Sequence, residues 1–308
     1  MTKSLLPTGN NHSTMDISFV LGSYNRKNML KLAIKSIREE TKLFNADFEI
    51  IVIDGGSTDG SIQWLFRQKD LITIVQHNNG KWNKNKIIKR SWGYFMNLGF
   101  KICHGKYICM LSDDCLIVPG SIVNSVHQFN ELLLNNFKIG AIAFYWRDWP
   151  RYTHYYVGTL FGNIFVNHGL FLREALKAVE YIDETNYSFY FADGDLSLRL
   201  IQKGYNILAA NNSYIEHYCH SNLKVRKNNC KNLENDKMNF LNKWLVMYED
   251  YNANNFGDAL TKLYSDKFKT YKQFKFSYYT SSVFLFNLIG NYLKFVNKYW
   301  KFTITEHL

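Results

Sequence analysis

Residues 107–114 read Tyr-Ile-Cys-Met-Leu-Ser-Asp-Asp, a mostly apolar run followed at once by two carboxylates. A short apolar run of this kind predicts a buried strand, so Asp113 and Asp114 stand at its carboxyl end. That edge of an α/β sheet is where ligands bind. Because adjacent carboxylates repel each other, a divalent cation is a natural partner for them. The alternative is an acidic turn that simply follows a strand.

The sequence around this strand alternates between strand and helix patterns. Apolar runs at residues 17–21, 48–53 and 72–76 predict strands, and apolar residues at helical spacing lie between them. An alternating order predicts a mainly parallel sheet with helices on both faces and right-handed crossovers. Beyond residue 139, strand-like segments predict that the sheet continues with mixed direction. The predicted fold class is therefore α/β, with a Rossmann-like mixed sheet.

Three regions are predicted along the 308 residues. Residues 1–15 lack the apolar centre of a secretory signal and are predicted to be a disordered leader. Residues 16–228 are predicted to form the main α/β domain. Residues 229–308 contain no proline and many Lys, Tyr and Phe, and they are predicted to form a mostly helical C-terminal extension.

Charge and cysteine content limit the partners and the compartment. The formal net charge of +11 favours polyanionic partners such as sugar nucleotides, anionic lipid or nucleic acid. The five cysteines are odd in number, and Cys109 lies inside a predicted buried strand. This usage is typical of a reducing compartment, so the predicted location is the cytoplasm.

A second loop suits a nucleoside. Residues 54–60 read Asp-Gly-Gly-Ser-Thr-Asp-Gly and follow a predicted strand. The carboxylate of Asp54 can accept hydrogen bonds from a base or ribose, and glycine backbone allows a flat ring to approach closely. The loop is neither a Walker loop nor a G-x-G-x-x-G fingerprint. An ordinary strand, turn and capped helix is the alternative.

Several stretches together resemble the family-2 glycosyltransferases of the GT-A fold. The resemblance covers residues 17–218 and rests on residues 23–26, the loop 54–60, residues 97–99, residues 111–114 and residues 193–199. It implies a GT-A fold and an inverting transfer of a sugar from a nucleoside diphosphate donor to a hydroxyl acceptor. It also implies surface polysaccharide or glycolipid synthesis, with a glycan or lipid-linked acceptor and Mn²⁺ or Mg²⁺ as cofactor.

The resemblance also implies roles for individual residues. Asp193 corresponds to the family's catalytic base, and Asp114 and His217 to its metal ligands. Ser112 stands where the family's D-x-D motif has its first acidic residue, so Asp113 is assigned to the ribose and Asp114 to the metal. The residues assigned to the nucleotide-sugar are Ser23, Tyr24, Asn25, Arg26, Asp54, Arg90 and Asp113.

Elementary chemistry supports two of these roles and leaves alternatives. A carboxylate such as Asp193 at a helix N-terminus is stabilised as an anion, ready to accept a hydroxyl proton, although Asp is also a common N-cap. Imidazole is a competent ligand for Mn²⁺, which supports His217. A zinc site made of His217, Cys219 and His220 is a further alternative, but its spacing matches no standard zinc motif.

The aromatic, lysine-rich residues 276–302 leave the role of the C-terminus open. They suit an interfacial helix on an anionic membrane, which would place the protein peripherally at the inner face of the plasma membrane. They equally suit packing on the main domain or on a homodimer partner.

Two functions other than glycosyl transfer are alternatives, although no nucleic-acid partner is predicted. A sugar-phosphate nucleotidylyltransferase needs a glycine-rich signature that residues 22–26 lack, and a basic nucleic-acid-binding protein needs no carboxylates at strand ends.

Overall fold

The computed structural model describes residues 16–43, 46–78, 80–82, 84–148, 154–218 and 223–262. The predicted leader, the aromatic residues 276–302, and Cys219 and His220 of the alternative zinc site lie outside the described residues.

Strand and helix alternate through the first part of the chain, as the sequence predicts. The elements in order are β1 (Ile17–Ser23), α1 (Lys27–Thr41), β2 (Phe48–Asp54), α2 (Ser61–Leu65), β3 (Leu71–Val75), a small hairpin of β4 (Lys81–Trp82) and β5 (Asn85–Lys86), α3 (Trp92–Ile102) and β6 (Tyr107–Ser112).

The second part contains more strands. It comprises β7 (Cys115–Ile117), α4 (Ser121–Leu134), β8 (Ile139–Asp148), β9 (Tyr155–Leu160), β10 (Asn163–Ile164), β11 (Gly169–Leu172), α5 (Arg173–Ala178), α6 (Ala192–Gln202), β12 (Asn206–His217), α7 (Leu223–Asn229), α8 (Leu233–Trp244) and β13 (Gly257–Lys262).

Within the described residues, eleven strands form one mixed sheet whose central order is β10-β9-β8-β11-β6-β1-β2-β3. Strands β6, β1, β2 and β3 run parallel to one another. Strand β11 is antiparallel to both of its neighbours, β6 and β8. Strand β12 is parallel to β8 and antiparallel to β7. The predicted α/β class and mixed sheet are confirmed.

The sheet is buried on both faces because side chains alternate along each strand. In β1, Phe19 and Leu21 pack into one apolar cluster and Val20 packs into the other. Helix α1 covers the first face with Leu30 and Ile34, among other residues. Helix α3 covers the second face, and Gly99 allows this close approach, since a Cβ there would lie 2.5 Å from Cγ1 of Val20.

The described part of the predicted helical extension packs into the same core. In α8, Phe240 and Trp244 are fully buried. Residues 257–262, which the sequence analysis places in a mostly helical region, form a strand instead, and β13 pairs antiparallel with β9. Backbone pairing with an available strand edge outweighs local helix preference here. Among the described residues, no helix has the length and apolar character needed to span a bilayer.

Candidate active site

The carboxyl ends of three parallel strands meet at one edge of the sheet. The register pairs Ser23 of β1 with Asp54 of β2 and places Ser112 of β6 opposite Gly22. The residues that follow each strand therefore lie side by side. The backbone N–H of Tyr24 faces Oδ2 of Asp113 at 3.4 Å, which links the first loop to the third.

Arg26 joins the two adjacent carboxylates. Its Nη1 lies 2.8 Å from Oδ1 of Asp113 and 2.8 Å from Oδ2 of Asp114. Both aspartates are nearly completely buried, and the arginine side chain is only 12% exposed. One guanidinium thus offsets two negative charges that are withdrawn from water, which explains how the pair stays in the fold.

The two carboxyls differ in acidity. Burial raises the pKa of Asp113 to about 6, against the opposing attraction of Arg26, and the neighbouring Asp114 adds to the rise. Burial also acts to raise the pKa of Asp114, but Arg26 and His217 together hold that pKa well below the usual carboxyl range. At neutral pH, Asp114 is therefore the more firmly ionised carboxylate and the better cation ligand.

Asp54 organises the glycine-rich loop from inside. Its Oδ1 accepts hydrogen bonds from the N–H groups of Gly56 and Ser57, and its Oδ2 accepts from Oγ of Ser57. The side chain is fully buried, and burial raises its pKa despite these donors. Gly56 has φ +87°, and a Cβ there would lie 2.5 Å from Nδ1 of His77. The Asp54 carboxylate thus hydrogen-bonds residues of its own loop. Its assigned contact with the base of a nucleotide stays a prediction.

Tyr24 and Asn25 form the outer wall beside this loop. Asn25 donates its backbone N–H to Oγ of Ser57 at 2.8 Å, and its Oδ1 accepts from the N–H of Thr58. The ring of Tyr24 is 38% exposed and lies against Gly55. An exposed aromatic ring next to glycine backbone provides a surface on which a flat base can stack.

Arg90 lies on the β3 side of this edge, away from the carboxylate pair. The carbonyl of Arg90 accepts a hydrogen bond from Nδ2 of Asn78, and the backbone N–H of Arg90 donates to Oδ1 of Asn78. The backbone N–H of Asn78 donates to the carbonyl of Gly55. The Arg90 guanidinium lies over the ring of Tyr94, 5.0 Å from its centroid. Within the described residues, no ion pair joins Arg90 to Asp113 or Asp114.

His217, the last residue of β12, lies near Oδ1 of Asp114, whereas Arg26 contacts Oδ2. Its Nε2 lies 3.6 Å from Oδ1 of Asp114, and its Nδ1 is 2.9 Å from Oδ1 of Asp148. Burial opposes protonation, but Asp114 and Asp148 raise the pKa of His217 to about 9. Oδ1 of Asp114 is buried and has no hydrogen-bond partner among the described residues. An unpartnered carboxylate oxygen facing an imidazole nitrogen is the donor set that a divalent cation requires.

Two residues that the sequence analysis does not single out lie behind His217. Cys115, directly after the aspartates, has its Sγ 3.4 Å from Nε2 of His168. The rings of His168 and His217 are 5.5 Å apart, and Trp146 packs edge-on against both. Burial lowers the pKa of His168 to about 3, so its ring is neutral at physiological pH.

Asp193 is the second residue of α6 and points into a recess. Nδ2 of Asn167 donates to Oδ2 of Asp193 at 2.8 Å, and the N–H of Gly194 donates to Oδ1. The N-cap of α6 is Phe191, in a left-handed conformation with φ 64°, so Asp193 is not the capping residue. Burial raises the pKa of Asp193 despite both donors.

The remaining acidic residue of the same turn, Asp195, has a purely structural environment. It is fully buried and accepts hydrogen bonds from side chains of α6, of α8 and of the loop before α6. These donors are Arg199, Lys243, Trp244 and Tyr187.

The loop before β11 joins these two groups of side chains. Asn167 contacts Asp193, and the next residue, His168, lies against Cys115 and His217, which in turn faces Asp114. The predicted base and the predicted metal ligands are thus connected through two consecutive residues. Sequence reasoning missed Asn167, His168 and Asp148 because they have no local motif, and only the sheet topology places them at this edge.

Comparison with known proteins agrees with this geometry. The model of the family described as glycosyl transferase family 2 matches residues 18–179, more than half of the 308 residues. An uncharacterized glycosyltransferase of Nostoc sp. is 30% identical over 118 residues, which cover 37% of this chain and 33% of that protein. The chain thus spans about a third of the curated relative.

Solved structures share the fold. S. aureus TarS superposes with a TM-score of 0.52 at 14% identity, over 77% of this chain and 44% of that chain. A mannosyltransferase of Pyrobaculum calidifontis, solved with GDP-Man and Mn²⁺, has a TM-score of 0.50 at 15% identity, over 74% of this chain and 64% of that one. At these identities the likeness is one of fold, and the fold is of the GT-A type. The family match, which extends over more than half of the residues, shows that the chain belongs to glycosyl transferase family 2.

Proposed function

We propose that this glycosyltransferase moves a sugar from a nucleoside diphosphate donor to a hydroxyl acceptor by direct displacement, with inversion at the anomeric carbon. One observation carries the proposal. The partly buried carboxylate of Asp193 is connected through Asn167 and His168 to the pair formed by Asp114 and His217. An acid–base group and a cation site on one rim are what a single-displacement transfer requires.

Asp193 is the proposed base. Its place in the first turn of α6 gives it the favourable field of the helix N-terminus, which keeps it ionised at neutral pH. Burial raises its pKa, so it accepts a proton more readily than an exposed aspartate does. Asn167 fixes the carboxylate orientation through Oδ2. The acceptor hydroxyl would donate its proton to this carboxylate as its oxygen attacks the anomeric carbon.

Asp114 and His217 are the proposed cation ligands. The unpartnered Oδ1 of Asp114 and the facing Nε2 of His217 fit Mn²⁺ or Mg²⁺. A divalent cation held there would offset the charge that develops on the departing diphosphate. Support comes from the Pyrobaculum mannosyltransferase of the same fold, which was solved with Mn²⁺ and GDP-Man.

The donor nucleoside is proposed to lie along the ends of β1 and β2. Tyr24 offers its exposed ring, and the loop held by Asp54 offers glycine backbone. Ser23, Asn25 and Asp113 line the same edge, Arg26 supplies positive charge, and Arg90 borders the edge on the β3 side.

The acceptor is proposed to be a glycan or a lipid-linked sugar in surface polysaccharide or glycolipid synthesis. The proposed location is peripheral, at the inner face of the plasma membrane, and the net charge of +11 supports contact with anionic lipid. The described cysteines Cys103, Cys109, Cys115 and Cys230 are all free, which supports a cytoplasmic location.

Donor class is tested by thermal unfolding with UDP, GDP, CDP and dTDP, each with and without Mn²⁺. A nucleotide at about 100 times its Kd stabilises the folded state by about 2.7 kcal/mol, which corresponds to a Tm rise of roughly 5 °C for a domain of this size. We expect one base to give this rise, and the cation to increase it. If no nucleoside diphosphate raises Tm, the donor proposal fails.

The base is tested with Asp193→Asn, which retains the shape of the side chain but cannot accept the proton. We expect kcat to fall about 100-fold or more while donor affinity, measured by calorimetry, stays at the wild-type value. Asp258→Asn, at an exposed aspartate of β13, serves as the matched control and should keep full activity. Wild-type turnover in Asp193→Asn would exclude Asp193 as the base.

A further inference from the structure

We propose that Cys115, His168 and His217 form a binding site for a thiophilic divalent cation, with Zn²⁺ as the class of ion that it fits. We call these three side chains the sulfur–imidazole site. Among the described residues, they offer one ligand atom each, and these atoms all lie within 4.8 Å of one another. The site adjoins Asp114, whose Oδ1 lies 3.6 Å from Nε2 of His217.

The spacing of the ligand atoms fits a tetrahedral ion. Zinc bonds of about 2.3 Å to sulfur and about 2.1 Å to nitrogen place neighbouring ligand atoms roughly 3.4 to 3.7 Å apart. Sγ of Cys115 lies 3.4 Å from Nε2 of His168. This pair already has the required spacing, and the Nε2 atom of His217, within 4.8 Å of both, needs to move by about 1 Å or less to complete the set.

The surroundings hold the ligands in the orientation that metal binding needs. Nδ1 of His217 lies 2.9 Å from a carboxylate oxygen of Asp148, which leaves Nε2 as the ligand atom of the neutral ring. A carboxylate behind a metal-binding histidine is the usual arrangement at zinc sites. Trp146 borders both imidazoles, and His168 is almost completely buried, so few waters compete for the ion.

Charge balance favours occupation. A thiolate and two neutral imidazoles contribute one negative charge, and the Asp114 carboxylate beside them contributes a second. A divalent cation offsets both charges. The thiol proton of Cys115 and the Nε2 proton of His217, which Asp114 and Asp148 favour without a metal, are released to solvent as the two bonds to the metal form. Soft sulfur selects Zn²⁺ or Co²⁺ over Mg²⁺, which prefers oxygen ligands.

This site rests on the proposed function only through His217, which is also the proposed ligand of the donor's cation. Nε2 of His217 has one lone pair and binds one ion at a time, so the two sites are alternatives, and they differ in what completes them. The cation on Asp114 gains diphosphate oxygens from the donor, whereas the sulfur–imidazole site is built from protein ligands and should bind its ion without nucleotide. Metal binding measured without donor therefore succeeds or fails independently of glycosyl transfer.

The test uses Co²⁺ as a spectroscopic probe on the full-length protein after chelator treatment, under anaerobic conditions and without nucleotide. We expect a near-ultraviolet thiolate-to-cobalt charge-transfer band and the intense visible bands of tetrahedral cobalt. The signal should saturate at one ion per chain and disappear when Zn²⁺ is added. The absence of a charge-transfer band in the wild-type protein overturns the proposal.

Three variants assign the ligands. Cys115→Ser should abolish the charge-transfer band, whereas Cys230→Ser, at an exposed cysteine, should retain it. Asp148→Asn should weaken Co²⁺ binding by about 10- to 100-fold, as is typical when the partner of a ligating histidine is lost. A band that survives in Cys115→Ser places the thiolate elsewhere and overturns the assignment.

A measurement on the unaltered protein keeps the test independent of how these variants fold. X-ray absorption of the Zn²⁺-loaded wild type should show one sulfur at about 2.3 Å together with nitrogen ligands. A zinc coordination shell of nitrogen and oxygen alone would contradict the sulfur–imidazole site.

Discussion

Arg26 carries the charge balance of the site when no cation is bound. Its single Nη1 contacts both Asp113 and Asp114, and all three side chains are largely removed from solvent. Burial acts to lower the pKa of Arg26, but the two carboxylates raise it above its ordinary value. The guanidinium is therefore a permanent counter-charge, and the two aspartates depend on it.

Replacement of Arg26 by glutamine should destabilise the protein, because it leaves the buried Asp113 without a counter-charge and Asp114 with His217 alone. We expect the free energy of unfolding, measured by urea denaturation without divalent cations, to fall by about 3 kcal/mol. Arg67→Gln, at an exposed arginine, provides the matched control and should change stability by less than about 0.5 kcal/mol. Equal stability of the two variants would show that Arg26 does not balance the pair.

Asn167 should set the pH dependence of the reaction. Its hydrogen bond to Asp193 favours the ionised carboxylate, so removing the amide raises the Asp193 pKa further. In Asn167→Ala, the acid limb of the kcat profile should move to higher pH, since more of the base is protonated at any given pH. Asn163→Ala, which removes an amide bonded to the carbonyl of Phe161, should leave the limb in place. If the acid limb of the kcat–pH profile stays in place in Asn167→Ala, the proposed role of Asp193 is contradicted.

At the scale of elements, α8 fixes the segment that leads into α6. Asp236, fully buried on α8, accepts hydrogen bonds from the backbone N–H groups of Ser188, Phe189 and Tyr190. These three residues come just before Phe191, which begins α6. The position of Asp193 in the first turn of α6 therefore depends on a carboxylate more than forty residues further along the chain.

Asp236→Ala should reduce both stability and turnover. Three partly buried backbone donors lose their acceptor, and each unsatisfied group costs about 1 kcal/mol. We expect a loss of about 3 kcal/mol in urea denaturation, together with a lower kcat at temperatures where the variant is fully folded. Glu234→Ala removes an exposed carboxylate from the first turn of the same helix and is the control. If the folded Asp236 variant has normal kcat, α8 has no part in placing the base.

Local patterns predict the elements better than they predict the site. Apolar residues recur at helical spacing from residue 121 to residue 134, directly after a glycine, and this stretch forms α4. The buried strand before Asp113 also follows from its apolar run. Cys115 and His168, in contrast, are 53 residues apart and meet only because β11 inserts between β6 and β8. No local pattern encodes that contact, and the same holds for Asn167 and Asp193.

At the scale of the whole molecule, the predicted boundary at residue 228 crosses a continuous core. Trp244 donates its indole N–H to the buried Asp195, and β13 adds an edge to β9. A chain ended after residue 228 loses α8 and β13. The burial of Trp244 alone is worth about 3 to 5 kcal/mol, a large part of the 5 to 15 kcal/mol that stabilise a typical domain. We expect this shortened chain to lack a cooperative thermal transition by circular dichroism, whereas the full chain shows one. A cooperative transition in the shortened chain would support a boundary at residue 228.

No residue separates the end of β6 from Asp113, and this limits where residues can be inserted. The last paired residue of β6, Ser112, is followed immediately by the carboxylates, so strand register alone determines which way they face. One extra residue within β6 would reverse the orientation of the later side chains of that strand. It would also turn Asp113 and Asp114, which follow directly, away from Arg26. An extra residue in the exposed turn at residues 135–136, after α4, would shift no part of the ladder that bears the aspartates. We therefore expect an insertion in such a turn to be tolerated and an insertion within β6 to disrupt the site.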